Sequence, residues 1–195
     1  MTKVTVDRTV GIRRTARAIV YAAGVSLVTL GLLYAGLPVA GPLNDLANAT
    51  IGLFSLLLVR QLHGFLGPTK PGLFVGLGSA GGLALILGAL PVALGVLHWT
   101  TGGMVTGFGY GLLGAWLLGA SHGSKGTWMR GLGRLGTTAG ALMSLGLIAG
   151  PDLGLRVVPA PATWGLYLAT ASGILLYFVW CWRLAGALSA LGHGR

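Results

Sequence analysis

Long apolar runs alternate with short clusters of glycine, proline and polar residues along the whole chain. Six runs, at about 16–38, 45–66, 72–97, 103–120, 134–151 and 162–186, have the length of membrane spans. Crossing a hydrocarbon core of about 30 Å takes roughly 20 apolar residues. Inside a bilayer the backbone has no water to bond, so a spanning segment is a helix or part of a closed barrel. Barrel strands would alternate polar and apolar residues over about ten positions, and no such alternation occurs here. The pattern predicts an all-α integral membrane protein: a compact six-transmembrane-helix bundle forming one membrane domain over residues 1–195.

The breaks carry turn chemistry. Gly36-Leu37-Pro38 to Gly41-Pro42 ends the first run, and Gly67 to Pro71 separates the second from the third. His98 to Gly102, Ser121 to Gly131 and Pro151 to Pro161 mark the later turns. Proline lacks a backbone donor and glycine tolerates positive φ, so both punctuate helices. Pro91, inside the third run, is expected to kink that helix near its outer end.

Composition agrees with the bilayer. Of 195 residues, 54% are hydrophobic and 8% charged, with mean hydropathy +0.82, whereas soluble domains carry roughly 25% charged residues. The net charge of +10 follows from threading. Lys3, Arg8, Arg13, Arg14, Arg17, Arg60, Lys70, Lys125, Arg130, Arg134, Arg183 and Arg195 fall at one end of the spans, and Arg156 falls at the other. By the positive-inside rule both termini face the cytoplasm, the protein sits in the plasma (cytoplasmic) membrane, and the charge implies no nucleic-acid partner. Aromatic residues fit belts at the two interfaces, with Trp164 and Tyr167 outside and Tyr177, Trp180 and Trp182 inside. Arg13-Arg14 before an apolar run raises an export signal, but the run is long for a signal core and Pro38-Val39-Ala40 is a poor cleavage site. The first helix is therefore expected to stay.

Val105 to Gly111, VTGFGYG, resembles a potassium-channel filter in composition only. Thr106 is followed directly by Gly107, which displaces the register, and the stretch runs on into apolar helix. Counting shows another period: Gly103, Gly107, Gly111, Ala115 and Gly119 recur every four residues, and Gly72, Gly76, Ala80, Ala84 and Gly88 do the same on the third span. In lipid, small residues let helix backbones approach and gain dispersion contacts. The 36 glycines are thus expected to form packing faces, within the protomer or between protomers. Three similar helical hairpins, whose second spans end in His63-Gly64, His122-Gly123 and His193-Gly194, hint at internal repetition.

Polar residues within the spans are few. Asn44-Asp45 follows Gly41-Pro42-Leu43 and reads first as an N-cap of the second helix, with Asp45 complementing the helix dipole. Asn48, one turn deeper, makes the alternative, a substrate or proton contact at Asn44, Asp45 and Asn48, worth testing. Arg60, Gln61 and His63, with His122, form a polar cluster at the inner end, where Arg60 can snorkel to the interface. Haem needs facing histidines at similar depth, and His63 with His122 is only a remote pair for it; no cofactor and no metal site is expected.

Enzyme signatures are missing from the sequence. Asp7, Asp45 and Asp152 are its only acids, Ser121-His122 has no nucleophile elbow, and no P-loop or dinucleotide fingerprint occurs. Cys181 is the single cysteine, which excludes an internal disulfide and a self-contained dithiol carrier. Two functions remain. One is a small permease or channel-like protein for a neutral or cationic solute; the other is a non-catalytic scaffold or accessory subunit of a larger membrane complex. The bilayer is the first partner in either case, followed by further copies of the chain or other membrane subunits.

Overall fold

A computed structural model of the chain describes residues 3–66, 72–122, 130–156 and 158–193. The elements are helices throughout: α1 (Lys3–Tyr34), α2 (Ala40–Leu66), α3 (Gly72–Ala93), α4 (Trp99–Ser121), α5 (Arg130–Ser144), α6 (Gly146–Leu155) and α7 (Ala160–His193). Six stretches are long and apolar enough to cross a membrane, α5 and α6 together making the fifth, Gly131–Leu155. The expected turns around 67–71 and 123–129, with Lys70, Gly123, Lys125 and Trp128, lie outside the described residues, as do Gly194 and Arg195.

Helix ends differ from the sequence expectation where local chemistry outweighs hydropathy. α1 starts at Lys3 because Arg8, Arg13, Arg14 and Arg17 are good helix formers whatever their polarity. α2 starts at Ala40, so Gly41 and Pro42 lie in its first turn. Proline is tolerated there because first-turn N–H groups have no intrahelical acceptor. The N-cap reading of Asn44-Asp45 is thereby corrected: both residues lie inside the helix. α3 stops at Ala93, two residues after Pro91, and Gly95 at φ +70° closes it. The Val96 N–H bonds the Pro91 carbonyl at 2.9 Å and the Gly95 N–H bonds that of Val92 at 2.9 Å, a Schellman cap that needs a left-handed residue. Gly36, at φ +90°, ends α1 in the same way. The fifth span continues through Pro151 to Leu155, since one missing N–H does not end a membrane helix.

Each helix packs on its neighbours in sequence, and α7 returns to α5 and α1, closing the bundle into a ring. We call the end with the α1–α2, α3–α4 and α6–α7 turns the loop end, and the opposite end, where α1 begins and α7 finishes, the terminal end. The core fills the terminal half. Ile12, Ala16, Ile19 and Ala23 of α1 meet Leu58 and Leu62 of α2 and Tyr177, Cys181, Leu184 and Leu188 of α7 in one cluster. Past Ala23 this face of α1 is lost, and Val25, Leu27 and Val28 are exposed.

Two sequence expectations change here. Tyr177 and Trp180, read as interfacial aromatics, are buried in the bundle, where their rings stack at 6.3 Å and Trp180 meets Trp116 edge-on at 6.3 Å. Trp164 and Trp182 remain exposed. The row expected on the third span reaches α4 only in its later members, Ala84 and Gly88, joined by Gly81 from outside the row. Gly72 and Gly76 have open space beside them, while Gly81 and Gly88 meet Gly109 and Gly102 of α4. A Cβ at Gly81 would lie 2.8 Å from the Gly109 carbonyl oxygen, and one at Gly88 would lie 2.8 Å from that of Gly102. No real side chain fits those distances, so this crossing depends on backbone-to-backbone packing.

Candidate functional site

On α2, Asn44, Asn48 and Ser55 recur at spacings of four and seven residues, which places them along one helix face. Each engages a different helix. Ser26 Oγ of α1 donates to Asn44 Oδ1 at 2.8 Å, and Tyr110 OH of α4 donates to Asn48 Oδ1 at 2.9 Å. Ser55 Oγ shares a 2.9 Å hydrogen bond with Tyr177 OH of α7. Asn48 Nδ2 also donates to the Asn44 carbonyl at 3.0 Å, which fixes the amide orientation. Hydroxyls and amides buried in an apolar medium need partners, so this face of α2 is tied to three helices.

The loop-end part of this polar face borders a cleft of about 670 Å³. α2 supplies Asn44, Asp45 and Asn48; α4 supplies Trp99, Thr106 and Tyr110; Leu30, Leu33 and Tyr34 of α1 and Val92 of α3 complete the walls. Asp45 is the sole charged residue among the described residues lining it, and it is half-buried. No hydrogen bond or ion pair to a described residue engages its carboxylate. Tyr110 is 5% exposed, and Ile51 and Leu113, one turn towards the terminal end, are fully buried. The cleft thus lies in the loop-end half of the bundle, with a hydrogen-bonded floor and apolar packing beneath it.

The structure therefore brings Asn44, Asp45 and Asn48 together at one cleft. It does not gather the terminal-end group in the same way. Arg60 is exposed, Gln61 and His63 are half-buried, and His122 is exposed as the C-cap of α4. α3 packs between α2 and α4, so His63 and His122 are not on adjacent helices. The Gln61 side chain faces Gly11 of α1, and its buried Oε1 accepts no hydrogen bond among the described residues. Nearby, Arg8 donates to the Gly64 carbonyl at 3.3 Å.

The α4 row lies inside the protomer. A Cβ at Gly103 would meet Leu153 at 2.7 Å, and one at Gly107 would meet the Cα of Gly150 at 2.7 Å. Gly111 faces Leu147, Ala115 is half-buried, and Gly119 faces the Phe74 ring of α3. Gly103 and Gly107 also border the cleft, so the α4 backbone forms part of its wall.

A second polar point escaped the sequence reading. Asp152 of α6 is 2% exposed; its Oδ1 accepts the Val158 N–H at 2.7 Å and its Oδ2 accepts the Tyr167 hydroxyl at 3.3 Å. It borders a cleft of about 640 Å³ with Arg156, Thr163 and Trp164. Pro151-Asp152 reads as a turn, and only the continuation of α6 buries it. Tyr110, Ser26, Ser55 and Tyr177 were likewise missed as site residues. Their hydroxyls within apolar runs were the available signal, but their partners lie on other helices.

Comparison with protein-family models, with curated proteins and with solved structures gives no match.

Proposed function

We propose that the chain is a small permease or channel-like protein of the cytoplasmic membrane, that both termini face the cytoplasm, and that the α1–α4 cleft receives a small solute from the opposite side. The observation carrying this reading is the cleft itself, with the unpartnered Asp45 carboxylate beside Asn44, Asn48 and Tyr110. An ionisable group in a membrane span is costly, and where it lines a cavity it marks a substrate path. Orientation rests on charge: Arg8, Arg13, Arg14, Arg17, Arg60, Arg134 and Arg183 lie towards the terminal end, and Arg156 lies at the loop end. A cleft that stops at a packed floor part-way along the bundle suits one of the states that alternating access requires. Further copies of the chain are its proposed partners. The test is solute flux into vesicles holding the reconstituted protein. Asp45→Ala is expected to change the flux of at least one small neutral or cationic solute, and unchanged flux for every solute tested would overturn the proposal.

A second reading is favoured by the closed floor. Below Tyr110 the bundle is packed with Ile51, Leu113, Trp116 and Tyr177, as suits a scaffold or accessory subunit that moves nothing. That reading predicts a fixed membrane partner copurifying in mild detergent, together with the absence of flux in vesicles.

A further inference from the structure

The cleft between α1 and α4 differs from an ordinary polar pocket in how its charge is placed. Asp45 brings a negative charge into walls formed by Leu33, Val92 and the aromatic rings of Tyr34 and Trp99. No described residue compensates that charge. The neighbouring polar groups are largely committed: Asn48 Oδ1 to Tyr110, Asn48 Nδ2 to the Asn44 carbonyl, and Asn44 Oδ1 to Ser26. The cleft therefore presents one free anion, the Thr106 hydroxyl, and two aromatic side chains, Tyr34 and Trp99, that line it while staying largely exposed.

Each part selects against an anion and against a fully hydrated inorganic cation. A carboxylate repels anions, and in a partly desolvated place it does so more strongly than in water. A bare sodium ion needs a shell of oxygen ligands, while the walls beside Asp45 are chiefly hydrocarbon and aromatic. A primary ammonium suits the site on both counts. Its N–H groups form charge-assisted hydrogen bonds to a carboxylate, aromatic faces attract the cation, and an alkyl tail lies against Leu33 and Val92. We infer that this cleft is a binding site for a small primary ammonium carrying an apolar tail, with the ammonium on Asp45 and the tail along α1 and α3. This inference deepens the transport reading by naming the class of solute, and it rests on the same cleft.

The experiment is a binding titration of the full-length protein in nanodiscs, followed by calorimetry and tryptophan fluorescence. Three probes of equal length, butylammonium, butanol and butyrate, separate charge from shape. Butylammonium is expected to bind saturably, at least tenfold more tightly than butanol, with no binding of butyrate. Asp45→Asn should weaken butylammonium tenfold or more while leaving the elution volume and melting temperature unchanged. Trp99→Leu should weaken it about threefold to tenfold, and sodium chloride at matched ionic strength should not compete. An ammonium can come from a soluble amine or from an aminophospholipid headgroup. Equal butylammonium affinity in nanodiscs with and without phosphatidylethanolamine supports the site with a soluble ligand; affinity lowered by that lipid supports it with the lipid as ligand. Absence of saturable butylammonium binding in both, or equal binding by correctly folded Asp45→Asn, overturns the inference. Flux measurements keep the two proposals apart. Flux of neutral solutes without ammonium binding leaves the transport reading standing and removes this one, whereas ammonium binding without flux does the reverse.

Discussion

Tyr110 of α4 donates its hydroxyl proton to Asn48 of α2 across 2.9 Å, a bond between residues 62 apart in the chain. The bond forms the floor of the cleft and also stitches the bundle. Replacing Tyr110 by phenylalanine keeps the ring packing and strands the Asn48 carbonyl oxygen. A buried unsatisfied acceptor costs about 1–3 kcal/mol, although interhelical hydrogen bonds in membranes are worth nearer 0.6–1.7 kcal/mol. We expect Tyr110→Phe to lower stability by about 1–2 kcal/mol. A double-mutant cycle with Asn48→Ala, read by reversible unfolding in mixed micelles, measures the coupling; additivity of the two substitutions would contradict the bond.

Gly107 lies where α4 and α6 are in backbone contact, with a Cβ there 2.7 Å from the Cα of Gly150. Gly107→Ala should therefore cost about 1–3 kcal/mol through overpacking, and Gly107→Leu should prevent normal assembly. Gly24, inside α1, has open space beside it, so Gly24→Ala should not destabilise and should gain up to about 1 kcal/mol of helix propensity. Thermal unfolding in detergent compares the pair, and equal effects at both sites would argue against the α4–α6 crossing.

Asp152 holds the α6–α7 turn by accepting from the Val158 N–H and the Tyr167 hydroxyl. Asp152→Ala is expected to destabilise by about 1.5–3 kcal/mol, since hydrogen bonds to charged acceptors lie in that range. Hydrogen exchange should speed up most at the Val158 amide. Tyr167→Phe, which removes only the 3.3 Å contact, should have the smaller effect.

The tryptophans divide into two environments. Trp164 and Trp182 are 72% and 65% exposed on the bundle surface, while Trp116 and Trp180 are 3% and 6% exposed. In single-tryptophan variants placed in brominated-lipid bilayers, Trp164 and Trp182 should be quenched strongly and Trp116 and Trp180 weakly. Trp180→Phe should also release the 3.1 Å bond from Trp180 Nε1 to the Leu132 carbonyl and loosen α7 from α5.

Much of the fold was legible because bilayer physics acts on short sequence windows. Apolar run length gave six spans, and the glycine and proline clusters gave the turns, with helix ends displaced at Pro42, Pro91 and Pro151. Of the candidate site, Asp45, Asn44 and Asn48 stood out because polar groups are rare in such runs. Tyr110, Ser26, Ser55 and Asp152 did not, since a hydroxyl or a turn-like acid acquires meaning only from the helix opposite it. The same limit applied to glycine. A four-residue period marked Gly103, Gly107 and Gly111, which meet α6, and Ala84 and Gly88, which meet α4, yet it left out Gly81, Gly102 and Gly109 at the same α3–α4 crossing.

The sequence by itself determined that the chain is helical, with six stretches long and apolar enough to cross a membrane, because hydrocarbon leaves a buried backbone few alternatives. It could not choose the inward face of each helix. In spans that are apolar all round, lipid and protein interior offer nearly the same environment, so periodicity carries little direction. Only the tertiary structure decided that Tyr177 and Trp180 turn inward, that α7 closes onto α1, and that Asp45 lines a cleft with Tyr110 at its base. Those choices rest on backbone approach at glycine and on hydrogen bonds between distant helices, both properties of pairs of segments.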